Sequence, residues 1–152
     1  MNYHIIRKIR VNVVSESSAR FDTDNKRIEG PRHSLPVFRK WCPNDGKEHF
    51  ISILTDANHA PIGVNTVSIG TLTSSLVHPR EVLRPAIVMG AAACIIGHNH
   101  PSGDVSPSSE DRETTRRLKE AMLIMGISLL DHVIFTHGSE AYHSFREAGN
   151  LS

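Results

Sequence analysis

Apolar and polar positions along this chain fall into short periodic runs separated by turn-forming residues. Ile9, Val11 and Val13 interleave with Arg10 and Asn12, the period of two expected of a half-buried strand with its charges to water. Residues 15 to 31 break that period and read as a polar loop or a ragged hairpin. "SLPVFRKW" suits a short helix capped near Ser34 and stopped at Pro43. "HFISILTD" is a buried strand, and "APIG" turns into a second one, from Val64 to Gly70. "HPREVLRPAIVMGAAA" predicts a helix, with Pro79 in its first turn and Pro85 able to kink it. "CIIGH" is the next strand. "SSEDRETTRRLKEAMLIMG" then predicts the longest helix, with Leu118, Ala121, Met122 and Met125 on one face and Gly126 closing it. "ISLLDHVIF" returns as a strand and "SFREAG" as a short terminal helix. The order β-α-β-β-α-β-α-β-α, without repeats or linkers, describes a three-layer α/β domain.

Composition supports a single globular domain. At 152 residues the chain can bury a core unaided, and 39% apolar against 22% charged residues excludes a disordered polymer. No apolar run approaches the ~20 residues of a membrane span. "MNYHIIRKIR" carries charge where a signal peptide needs its apolar core, so a cytoplasmic location is expected. Cys42 and Cys94 form no CxxC pair and read as buried thiols of a reducing compartment. Residues 1 to 47 hold ten Lys/Arg against five Asp/Glu, while the rest of the chain is net acidic. That basic part is ordinarily a solvated face; nucleic acid as its partner is the alternative.

The chemistry concentrates in "GHNHPSGDVSPSSED", directly after the apolar "AAACII". Side chains two apart on a strand share a face, so His98 and His100 come within reach of one ion. Neutral imidazole nitrogens are good zinc ligands, and a carboxylate from the loop, Asp104 or Asp111, would be the third. Asp111 also completes an S-x-x-D capping box with Ser108. Among other polar residues, His78 reads as a cap or turn contact before a helix. Asp131, next to His132, either orients a ligand histidine or makes an ordinary buried hydrogen bond. His4, His33, His49, His59, His137 and His143 show no metal spacing and read as surface residues.

The run "HNHPSGDVSPSSED" resembles the JAMM (MPN+) metalloprotease motif, His-x-His-Pro, six residues, Ser-x-x-Asp, in full register. With "TLTSSLVHPREVLRPAI", "RRL" and "LLDHVIF", it resembles more narrowly the bacterial RadC-like JAB domain family, from about Ser34 to Leu151. The resemblance implies a JAB/MPN-like domain over residues 32 to 152, with a mixed central sheet flanked by helices. Residues 1 to 31 would be a separate basic strand and polar loop, where full-length relatives carry a helix-hairpin-helix region. It also implies one Zn²⁺ held by His98, His100 and Asp111 with a fourth position open. Glu48 would be the general base, ahead of Glu81 and Glu113, and Ser108 would hydrogen-bond the developing oxyanion or the water. The function so implied is zinc-dependent cleavage of a peptide or isopeptide bond in a peptide or protein substrate. A non-catalytic interaction module and a DNA-repair role are the alternatives.

Overall fold

The computed structural model describes residues 10–18, 27–70 and 77–151. Eight elements follow in order: α1 (Pro31–Trp41), β1 (His49–Thr55), β2 (Pro61–Ile69), α2 (Pro79–Val88), β3 (Ala93–Asn99), α3 (Ser109–Ile124), β4 (Ser128–Phe135) and β5 (Tyr142–Ser144). The strands form one mixed sheet in the order β2-β1-β3-β4-β5. Only β3 and β4 run parallel, joined through α3; the other pairings are antiparallel.

β1 and β3 are buried along their whole length, because helices cover both faces of the sheet. One core packs Phe50, Leu54, Cys94 and Ile96 against Val82, Leu83 and Ala86 of α2 and Leu118 and Met122 of α3. The other packs Ile51, Ile53, Ile95 and Phe135 against Leu35, Val37 and Phe38 of α1. On that second side a Cβ on Gly97 would come within 2.7 Å of the Phe38 ring, so only glycine lets the ring lie flat on β3. His98, one residue on, therefore points to the α2/α3 side.

The expected three-layer α/β architecture with a mixed central sheet is present. Several local expectations require correction. Residues 10–18 form no strand, and Val11 and Val13 are 63% and 55% exposed. Alternation alone makes no strand where no neighbour completes the hydrogen-bond ladder. Helix α1 starts at Pro31 after Gly30, not near Ser34, because Pro31 is preset for the first helical position. Met125 is about half exposed at the end of α3 rather than on its buried face, since the chain turns at Gly126 (φ 69°). "SFREAG" is not a helix: β5 ends at Ser144 and turns follow. There the backbone N–H of Phe145 donates to His132 O and that of Arg146 to Asp131, tying the segment to β4. His49 is buried at the start of β1 and bonds Asp45, where a surface residue was expected. Ile9, His4 and the loop positions 19–26 lie outside the described residues.

Both cysteines are buried and unpaired, as expected, and burial pushes each thiol pKa up to about 12. Among the described residues no helix is long and apolar enough to cross a membrane.

Candidate metal centre

The site forms where the parallel pair β3/β4 ends and α3 begins. His98 lies near the end of β3. His100 follows the strand, still held to it because its backbone N–H donates to Phe135 O at the end of β4 (2.9 Å). Ser108 caps α3 in the predicted capping box: its hydroxyl accepts from Asp111 N (3.1 Å), while Asp111 Oδ2 accepts from Ser108 N (2.8 Å). The box fixes the Asp111 carboxylate on a rigid helix start. Along α3 the buried stripe is polar at Asp111 and Thr115 and apolar at Leu118 and Met122. The helix thus presents oxygen to the histidine end of β3 and hydrocarbon to its other end.

His98, His100 and Asp111 each offer a ligand atom, all within 4.8 Å of one another. His98 Nε2 and His100 Nε2 face each other at 2.9 Å. Asp111 Oδ1 lies 3.1 Å from His98 Nε2, yet it is buried without a hydrogen bond. On the far side of each ring the second nitrogen is already engaged. His100 Nδ1 donates to the backbone oxygen of Asp104 (2.6 Å), and His98 Nδ1 lies 2.9 Å from His132 Nε2. Two ring nitrogens and an orphaned carboxylate oxygen aimed at one point require a positive charge between them. A proton on His100 is one solution, and its pKa is raised, chiefly by Asp111. Burial alone would raise the carboxyl of Asp111, but His100 and His98 hold it far below the usual carboxylate range. A metal ion is the other solution, and two imidazoles with one carboxylate are a donor set that zinc accepts. The residues fit the ion.

The remaining sequence candidates separate cleanly. Asp104 is exposed and reaches His100 only through its backbone carbonyl, so Asp111 supplies the third ligand atom of the cluster. Glu48 precedes β1 and is half-buried. The antiparallel ladder of β1 with β3 ends where Phe50 pairs with His98, two residues beyond Glu48 along the chain. The charge of Glu48 also contributes to the raised pKa of His100. Glu81 and Glu113 form ion pairs with Arg84 and Arg116 on their own helices. His78 caps α2, accepting from Arg80 N. Asp131 makes ordinary buried hydrogen bonds, from Ser144 Oγ and from the backbone N–H groups of His132 and Arg146, and orients no ligand.

Sequence reasoning missed His132 itself, and with it Thr115. A lone histidine in an apolar strand has no spacing signal; its partner His98 is 34 residues away and meets it only through the β3/β4 pairing.

The chain is similar to known proteins over most of its length. A family model described as the RadC-like JAB domain matches residues 28–150. A UPF0758 protein of Rubrobacter xylanophilus is 52% identical over 124 residues, covering 82% of this chain and 53% of that protein. One from Symbiobacterium thermophilum is 54% identical over 105 residues, covering 69% and 44%. One from Thermotoga maritima is 40% identical over 150 residues, covering 97% and 67%. The chain spans about half the length of the first two relatives.

Proposed function

The chain belongs to the RadC-like JAB domain family, and on that premise we propose that it is a zinc-dependent hydrolase of the JAMM type, cleaving a peptide or isopeptide bond in a protein or peptide substrate. One observation carries this reading: two imidazole nitrogens and an unpartnered buried carboxylate oxygen converge on one point at the end of the central strand β3. When bound, zinc supplies a Lewis acid that polarises a carbonyl and brings a water's pKa to about 7. His98, His100 and Asp111 would hold the ion. Glu48, whose charge acts on His100, accepts the proton of the attacking water and returns it to the leaving amine. Ser108 fixes Asp111, to whose Oδ2 its hydroxyl also donates (2.8 Å). By turning that hydroxyl toward the substrate it can serve the developing oxyanion. Two buried unpaired thiols support a cytoplasmic location.

The test is Glu48→Gln, which keeps the shape and removes the base. Zinc uptake should be retained, and cleavage of peptide and isopeptide libraries should fall by about 10²–10⁴-fold. A wild-type protein that holds zinc and cleaves no such library would return the chain to the interaction-module reading. Salt-sensitive DNA binding without hydrolysis would favour the nucleic-acid one.

A further inference from the structure

Behind His98 lies a chain of hydrogen bonds whose direction is set by the backbone. The carbonyl oxygen of Asp111 can only accept, and Thr115 Oγ1 lies 2.6 Å from it. A threonine hydroxyl has one proton, and here that proton goes to the carbonyl. His132 Nδ1, 2.6 Å from the same hydroxyl, must therefore donate to it. A neutral imidazole protonated at Nδ1 carries its lone pair on Nε2. His98 Nδ1, 2.9 Å from that lone pair, must donate in turn, which leaves His98 Nε2 unprotonated and aimed at the metal point. Every side chain in the chain is buried, so water offers no alternative partner. The His132 ring is also clamped: it stacks on Phe145 at 4.8 Å and 11° and lies 5.6 Å from Phe50. It cannot turn over to reverse the sequence of donors.

We infer that His132 and Thr115 are positioning residues that lock His98 in the tautomer presenting Nε2 to zinc, closing a hydrogen-bonded loop from one ligand, His98, to the backbone of another, Asp111. The inference rests on the reading of His98, His100 and Asp111 as zinc ligands. His100 has a simpler lock of the same sense, donating from Nδ1 to the carbonyl of Asp104. The two imidazoles are thus both set by a backbone oxygen, His100 directly and His98 through two side chains. Partners of this kind raise ligand basicity and fix ring orientation, so their loss weakens metal binding without touching the ion.

Zinc affinity of the full chain, measured by competition with a chromophoric chelator, tests the idea. His132→Phe keeps the stacked ring and removes the acceptor; the zinc Kd should rise about 10–100-fold. Thr115→Val should weaken zinc by a smaller factor, and Thr115→Ser, which restores the hydroxyl, should return it to near the wild-type value. If the phenylalanine variant fails to fold, the Thr115 pair decides. Independently, two-bond ¹H–¹⁵N spectra of the metal-free wild type should show His132 protonated at Nδ1. A folded His132→Phe that binds zinc as tightly as wild type, or a His132 proton on Nε2, would overturn the inference. A wild-type protein that takes up no zinc would overturn the proposed function instead, and the tautomer spectrum then decides this inference alone.

Discussion

Two corners of this molecule each bury an aspartate, and they handle it in opposite ways. At the start of α3, Asp111 is 1% exposed, with Oδ2 held by its own capping box and Oδ1 left over, facing imidazoles. At the β4/β5 corner, Asp131 is 4% exposed, but a hydroxyl and two backbone N–H groups occupy it. Their acidities diverge accordingly. Burial is the largest influence on both and pushes both upward. Beside Asp111 the histidines reverse the effect; beside Asp131 the neutral donors do not, and its pKa stays raised. Burial of an acid is thus uninformative by itself. An acid whose oxygens are all taken by neutral donors ties the chain together, and one with an oxygen to spare opposite ring nitrogens awaits a cation.

The sharpest way to break this contrast is to delete each acid. Asp111→Ala should reduce zinc affinity by well over the ~100-fold seen on losing a supporting group. Equilibrium dialysis checks this, and retained stoichiometric zinc would move the third ligand elsewhere. Asp131→Ala should leave zinc binding unchanged but cost about 2–4 kcal/mol of folding stability, because it strips partners from buried donors. Denaturant titration reads that loss; a zinc defect in a folded Asp131→Ala protein would erase the distinction.

A smaller effect tests the acidities. Between the ordinary value of 3.8 and its raised folded value, Asp131 binds its proton more tightly in the folded chain than in the unfolded one. Its share of stability therefore falls as pH rises through that window and is gained as pH drops. Asn is a fair mimic of the protonated acid. The stability of wild type relative to Asp131→Asn should thus improve as pH is lowered from neutrality to about 4. A difference that stays flat or worsens would show that the donors, not burial, govern this group.

How much of this was legible in the sequence depends on whether a feature is local. His98 and His100 announce themselves through strand periodicity, and Asp111 through the cap spacing from Ser108, because neighbours along the chain fix those geometries. His132 does not: its contact with His98 depends on two strands lying side by side in parallel register. Asp131 was legible as a buried hydrogen-bonding residue, but its partners Ser144 and Arg146 lie beyond a turn. The same long-range bonds convert the helix-like "SFREAG" into strand and turns. Val11 and Val13 show the opposite failure, a correct strand pattern with no paired neighbour among the described residues.

The mixed sheet has a consequence for the order in which the molecule can come together. Phe50 and His98 are brought side by side by an antiparallel ladder, and His98 and His132 by a parallel one whose connection must run through all of α3. Pairings of such sequence separation are slow to form, since loop closure precedes any return from the contact. In the unfolded chain only the His-x-His fragment exists as a weak, two-armed chelator. The complete cluster is a property of the native state, so an ion seated there binds that state selectively and shifts the folding equilibrium by mass action. What looks like a local cofactor site is, thermodynamically, a clasp on the whole domain.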